Sequence, residues 1–253
     1  MKNNLFMQIG GFVILLALWE GLTRLLQIPE YIFPRFSVLL VEFWKFPLFF
    51  LDGLLKTSFE SCAGLFFGGV AAYLLAVLFS FSNLLKHLFY HWFVALKTVP
   101  IIAISPMIVL WVGSGMASKI LMASIVTFFP ILVNTLQGFY NITDNQRQLF
   151  ESWNATFWQI FLRLRLPMSL GYFFTGLKIA APLSAIGAIV SEFAGANEGL
   201  GYIVLKASWE SNTRALMVAV ILAAGMGMAL YKIIEMSEYV VGRFFPHVQH
   251  QSR

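Results

Sequence analysis

TDNQRQLFESWNATFWQIFLRLRLP, residues 143–167, is the stretch whose reading decides the fold. Most of the chain around it is apolar, whereas this segment is polar, amphipathic and sharply punctuated. Thr143 and Gln146 have the spacing of a capping box, in which hydroxyl and amide satisfy the orphan N–H groups of a new helix. Phe150, Trp153, Phe157, Phe161 and Leu164 recur three and four residues apart and form one apolar stripe. Gln148, Ser152, Gln159 and Arg163 fall on the other side. A second capping box, Thr156 with Gln159, predicts a break at Asn154-Ala155, and Asn tolerates the left-handed turn such a break needs. Pro167 is expected to close the segment, with an apolar helix restarting behind it. The expected object is a pair of short helices against a membrane face, presenting a polar surface outward.

Composition agrees. Apolar residues make up 59% of 253 positions and charged residues 11%, far from the balance of a soluble domain. A spanning helix takes ~20 apolar residues, so the chain has room for five to seven spans and one sizeable loop. The expected fold class is all-α: a polytopic bundle of about six transmembrane helices with one amphipathic segment between the fourth and fifth. The net charge of +5 comes from scattered residues with no basic run, which argues against a nucleic-acid partner. Cys62 is alone in an apolar run, so neither a disulfide framework nor a metal cluster is available.

In chain order, Leu5 to Leu26 reads as the first span, kept as an anchor because Glu20 and Arg24 continue the helix and no small-residue cleavage pattern follows. Residues 27–55 carry the breakers Pro29, Pro34 and Pro47, with a short interfacial helix around Val38–Phe43. The second span is placed at Thr57 to Phe81, with Gly64, Gly68 and Ala72 as a small-residue stripe for close helix packing. Asn83 to His87 is a turn, and the third span, Leu88 to Val112, is interrupted by Pro100 and Pro106. The fourth runs to about Phe139 with Pro130 inside it. The fifth, Gly171 to Ala194, aligns Gly176, Ala180, Ser184 and Ala188 on one face. The sixth covers Thr213 to Glu235, and the tail from Ser237 is polar and mildly basic. These elements divide the chain into an anchor and loop (1–54), a transmembrane domain (55–236) and a tail (237–253), the loop being external and the tail cytoplasmic in the orientation that the resemblance given below implies.

Ionisable groups inside spans are costly enough, at ~2.5 kcal/mol or more, to invite functional readings. Lys178 fits snorkelling to the headgroups or a place in a translocation path. Glu192, beside Ser191, fits a gate, a helix-end contact or an interfacial carboxylate. Glu20 and Glu60 are expected near the interface or paired. His87 and His91 have metal-compatible spacing, but no third ligand accompanies them. No G-K-[ST] phosphate loop, HExxH or GxSxG occurs, so the chain does not hydrolyse ATP itself and is not read as an enzyme.

The spacing of residues 148–167 resembles the cytoplasmic coupling loop of permease subunits of bacterial ABC importers. That loop reads E-A-A, three residues, Gly, nine residues, Ile, one residue, Leu-Pro. Here Leu164, Leu166 and Pro167 take the Ile and Leu-Pro places and Asn154 the Gly place, while Gln148, Leu149 and Phe150 replace E-A-A. The family's Glu is thus absent, and Glu151 lies three positions later. Asn154-Ala155-Thr156-Phe157-Trp158-Gln159 looks like the G-A-S-x-W-Q of the branch carrying nitrate, sulfonates, taurine and thiamine precursors. Thr98-Val99-Pro100, Ser105-Pro106, Leu110–Gly113, Phe173–Ala180 and Gly195–Tyr202 resemble the same branch.

The resemblance implies an inner-membrane permease subunit that works as a homodimer among membrane lipid, with a separate ATPase subunit and an external solute-binding protein. ATP and Mg would be bound by the ATPase, and no cofactor by this chain. Gln148, Glu151, Asn154, Ala155, Thr156, Trp158, Phe161 and Pro167 would couple to the ATPase. The path would run along Pro106, Gly176, Ala180, Ser184, Ala188 and Glu192. Lys and Arg are nearly balanced between the two sides, so orientation also follows from the resemblance, which puts the loop in the cytoplasm. The implied solute is a thiamine pyrimidine precursor, then riboflavin, a sulfonate such as taurine, or nitrate. The alternatives are a secondary transporter, which would show related halves, and a membrane-embedded enzyme, which would need clustered ionisable or metal-ligating residues.

Overall fold

The computed structural model describes residues 2–82, 84, 88, 92, 95 and 99–244. The turn expected at Asn83–His87, the His87/His91 pair and most of the first half of the third span lie outside them. The described helices are α1 Lys2–Leu25, α2 Phe36–Lys45, α3 Pro47–Phe81, α4 Ile101–Val112, α5 Met116–Tyr140, α6 Asp144–Ser152, α7 Phe157–Ile160, α8 Leu166–Phe193, α9 Leu200–Trp209 and α10 Thr213–Phe244, with a π-helical turn at Phe161–Arg165 joining α7 to α8. Among the described residues, four stretches are long and apolar enough to cross a membrane: Pro47–Phe81, Met116–Tyr140, Phe157–Phe193 and Thr213–Arg243. A shorter apolar helix lies at Ile102–Val112.

The bundle is organised around α5, which α3 and α8 clasp from two sides. Small residues set the distance. A Cβ added at Gly64 would lie 2.3 Å from the Ala123 Cβ, and one at Gly68 would lie 2.3 Å from the Thr127 hydroxyl oxygen and 2.6 Å from the Ser124 carbonyl oxygen. On the other side, Gly176 meets the Ile131 backbone and Gly187 the Ala123 backbone, each with room for no side chain. In hydrocarbon, helices gain nothing by hiding apolar surface from water, so close van der Waals approach must hold them together. Met122, Ala123, Ile131 and Leu132 of α5 are accordingly fully buried. Hydroxyls in these seams stay satisfied by bonding back along their own helix: Thr127 donates to the Ala123 carbonyl at 2.9 Å and Thr135 to that of Ile131 at 2.7 Å.

A second apolar cluster joins α2, the start of α3, α9 and α10 through Leu39, Phe50, Ile203, Ala207 and Val218. Ahead of it, α1 touches the rest through its last turns. The Trp19 indole N–H donates to the Pro34 carbonyl at 3.2 Å, its ring stacks on Phe33 at 5.2 Å, and Glu20 accepts from the Ser37 hydroxyl at 2.8 Å and from Arg24.

Four expectations need correction. The second long helix begins at Pro47 rather than Thr57, because a proline at the first helical position costs no hydrogen bond and starts a helix instead of breaking it. Pro167 does not end the amphipathic segment: it sits in the first turn of α8, and the chain is helical without interruption from Phe157 to Phe193. The last helix runs past Glu235 to Phe244. The helix Leu200–Trp209 has no counterpart among the predicted elements. Positions 54/55 and 236/237 both fall within continuous helices.

A test of the packing follows. Gly68→Val forces a branched side chain into the Thr127 hydroxyl and the Ser124 backbone and is expected to cost about 1–3 kcal/mol, read as a lowered thermal midpoint in detergent. Gly21→Ala, at a position with nothing within 4 Å of the added carbon, should leave the midpoint unchanged.

Candidate functional site

Both predicted capping boxes form. Thr143 and Gln146 exchange backbone-to-side-chain bonds of 3.1 and 3.3 Å, and Thr156 and Gln159 exchange bonds of 2.7 and 3.4 Å. Between them Asn154 takes φ +52, the left-handed conformation expected at the break, and the Ala155 N–H closes α6 on the Phe150 carbonyl at 3.1 Å. The two boxes therefore place a tight corner between α6 and α7.

The second half of this corner is anchored in the bundle. Phe161, 4% exposed, lies 4.6 Å from the Phe81 ring and stacks on Phe139 at 6.0 Å with an interplanar angle of 9°. Arg165 donates to the Ser80 carbonyl at 3.2 Å, fixing the segment to the end of α3. The π turn lets the Leu166 N–H reach back five residues to the Phe161 carbonyl, so the wider ring absorbs the misfit that Pro167 brings to an α-helical ladder. Phe161 is thus turned inward and its side chain meets α3 and α5 rather than an outside partner. Aromatic burial outweighs its place on the expected stripe.

The outward surface is also less polar than expected. Trp153 is 68% and Trp158 61% exposed, and Leu149 and Phe157 are half-exposed beside them. Gln148, Asn154 and Thr156 are exposed as well, Ala155 is half-buried, and Pro167 is half-buried within the helix. Glu151 lies on α6. The corner is an aromatic tip on a rigid stem. A cluster of exposed large apolar rings rimmed by polar groups marks an interaction surface.

The path positions behave differently. Gly176, Ala180, Ser184 and Ala188 do share one face, but that face is buried against α5 in the same chain. Within this chain these residues seat α8 on its neighbour. Pro106 is exposed on α4, one residue from Ser105, whose hydroxyl donates to the Val190 carbonyl at 3.1 Å. Instead, an apolar groove of ≈ 450 Å³ opens between α8 and α10, floored by Pro182, Ala185, Ala223 and Gly227 and walled by Ile189, Met228 and Tyr231.

Glu192, 1% exposed, is neither interfacial nor free. Its carboxylate accepts from the Thr57 hydroxyl at 2.6 Å and from the Gly201 N–H, while the Leu200 N–H donates to the Thr57 oxygen at 2.8 Å. It thereby caps the N-terminus of α9 and ties that helix to α3 and α8. Gly199, at φ +102, brings the chain so close to this carboxylate that no side chain would fit. Glu60 lies against Glu192, and one of its carboxylate oxygens, Oε2, has no hydrogen-bond partner among the described residues. Nearby Lys119 donates to the carbonyls of Ser114 and Gly115. Lys178 does not snorkel: its ammonium pairs with Glu238 of α10 at 2.8 Å, since a partner within reach in the bundle outcompetes the distant headgroups. Thr57, Glu60 and Lys119 form a group that the sequence reading did not assemble. The available signal was charge inside apolar stretches, which in a membrane calls for a partner.

These features define a polytopic helical membrane protein with a rigid aromatic projection on one face. Residues 64–243 match the family described as binding-protein-dependent transport system inner membrane component. The chain belongs to this family of ABC transporter permeases. It is 31% identical over 222 residues to a probable ABC transporter permease protein of Haemophilus influenzae, covering 88% of this chain and 91% of that one. It is 36% identical over 191 residues to the formylaminopyrimidine transport permease protein ThiX of Halalkalibacterium halodurans, covering 76% of each. The fold matches an inward-facing structure of the MetNI methionine ABC transporter with TM-score 0.59 at 19% identity, over 76% of this chain and 97% of that one.

The Glu192 cap is directly testable. Glu192→Ala leaves the Thr57 hydroxyl and Gly201 N–H without their acceptor and should destabilise the protein by roughly 1–3 kcal/mol. Glu192→Gln retains one acceptor oxygen and should lose less, as read by thermal unfolding in detergent.

Proposed function

We propose that this chain is the membrane subunit of an importer for a small solute, working as a homodimer with an external solute-binding protein and driven by a separate ATPase chain. The observation that carries this reading is the aromatic corner at Asn154-Ala155, exposed at its tip and fixed to the bundle through Phe161 and Arg165. Gln148, Glu151, Asn154, Ala155, Thr156 and Trp158 are proposed to meet the ATPase, where bound ATP and Mg supply the energy. Phe161 and Pro167 are proposed to pass the displacement into α8. Pro106 and Glu192 are retained as candidates near the solute route.

Similarity to the formylaminopyrimidine permease supports a thiamine pyrimidine precursor as the first-choice solute. Riboflavin comes next, supported by 31% identity over 150 residues to the riboflavin transport system permease protein RibX of Chloroflexus aurantiacus. Sulfonates, taurine and nitrate follow.

Proteoliposomes containing this chain, its ATPase and its binding protein should take up radiolabelled aminopyrimidine only with ATP inside. Uptake by the chain alone on a proton or sodium gradient would sink the importer reading. Ala155→Asp places an unpaired charge at the half-buried corner, and Asn154→Val forces a β-branched residue into φ +52. Both variants should reach the membrane at normal levels yet lose the ATPase on purification, whereas Asn154→Gly should keep it. Full ATPase retention by the first two would move the docking site elsewhere.

A further inference from the structure

Three ionisable side chains that are more than nine-tenths buried meet at the end of the bundle remote from the aromatic corner: Glu60 on α3, Lys119 on α5 and Glu192 on α8. Their bonding is unequal. Glu192 is fully engaged by Thr57 and Gly201. Glu60 hydrogen-bonds to Glu192 and keeps its oxygen Oε2 without a partner among the described residues. Lys119 adjoins Ile120, whose carbonyl meets Gly64 one turn along α3 from Glu60, yet among the described residues its ammonium hydrogen-bonds to the carbonyls of Ser114 and Gly115, in the turn before α5. An ammonium has three donors, so this arrangement leaves capacity on the cation and on the carboxyl together. Beside this group, Lys56 is bridged to Asp52 at 2.8 Å and to Glu198.

A buried carboxyl oxygen with no donor carries a desolvation cost that no bond offsets. A conformation that brings Lys119 to Glu60 removes that cost by giving up two neutral carbonyl contacts at a turn. The turn is built to allow this: Gly113 opens it at φ +93, and the facing loop enters α9 through Gly199 at φ +102. The long unbranched stem of lysine can carry the charge between two acceptors without moving the helix.

We propose that the Lys119 ammonium is a two-position switch, held by the Ser114 and Gly115 carbonyls in this conformation and transferred to the free oxygen of Glu60 when this end of the bundle rearranges during transport. Glu192 is the fixed post of the device, holding α9 in both positions, and Glu60 is the acceptor used in only one. The transport role rests on the importer reading; the first position of the lysine is the one observed, and the second is inferred from the unpartnered Glu60 oxygen.

The test is a double-mutant cycle of Glu60→Gln and Lys119→Met in the complete complex, read both as ATP-driven uptake and as the thermal midpoint of the resting, nucleotide-free state. Each single change should lower uptake by about tenfold or more, and the double variant should recover most of that loss, because removing both charges leaves neither unpaired in the second position. In the resting state the two changes should be additive. Uptake losses that simply multiply would overturn the switch, and so would coupling of equal size in the resting midpoint, which is the mark of a static pair. A second measurement needs neither charge nor transport: Glu60→Cys/Lys119→Cys in a Cys62→Ser chain, cross-linked in the resting and nucleotide-trapped complexes. The cross-link yield should rise several-fold on trapping; an equal yield in both states overturns the proposal. Wild-type uptake without ATP would refute the importer reading, whereas an unchanged cross-link yield in a complex that does take up solute with ATP refutes only the switch.

Discussion

The structure depends on how closely backbones approach α5. In water a helix bundle is held by the removal of apolar surface from solvent, but lipid tails are as apolar as leucine and offer no such drive. What remains is contact, and contact is greatest where no side chain stands between two helices. Gly64 and Gly68 bring α3 onto α5, and Gly176 and Gly187 bring α8 onto its other side. The two seams share Ala123, which meets both Gly64 and Gly187. A displacement of α8 is therefore felt by α3 through a single residue layer, and the three helices act as one unit.

That unit has unlike ends. Toward the corner, α8 grows without interruption out of α7, and the joint is packed by aromatic rings: Phe161 between Phe81 and Phe139, with Trp158 5.6 Å from Phe81. Rings of this size bury large areas and have few rotamers, so the joint resists bending. The π turn lies at this joint, and such turns recur at functional sites. The tip at Asn154 is therefore continuous with α8 through a stiff joint. At the opposite end the contacts are polar, directional and incompletely matched.

Much of this was legible in the sequence, and the parts that were not share a cause. The capping boxes, the left-handed residue at Asn154 and the small-residue stripes were readable because each is a local pattern with one physical solution. The direction in which the Gly176–Ala188 stripe points was not readable, because spacing says that a neighbour approaches closely and not which neighbour it is. Phe161 and Trp158 belong to one aromatic run, yet one is buried and the other exposed; the difference is set by α3 and α5, far away in the chain. Pro47 and Pro167 were read as breaks because proline removes a donor, but each stands where a helix or a π turn had no need of that donor. Pairings across the chain, Lys178 with Glu238 and Glu192 with Thr57, lie 60 and 135 residues apart and leave no mark in local periodicity.

Glu192 shows what such a distant pairing can do in a membrane. Its carboxylate could have been satisfied by headgroups or water at modest cost. Instead it is spent internally, on one hydroxyl and the N-terminus of a ten-residue helix too short to be stable alone. Helix α9 exists because a buried acceptor holds its first turn and an apolar cluster holds its flank. Its place is therefore tied to α8 and α3 by hydrogen bonds of fixed length, while the lipid-facing side has no such ties. Through this carboxylate α9 and α8 are held as one piece at that end of the bundle.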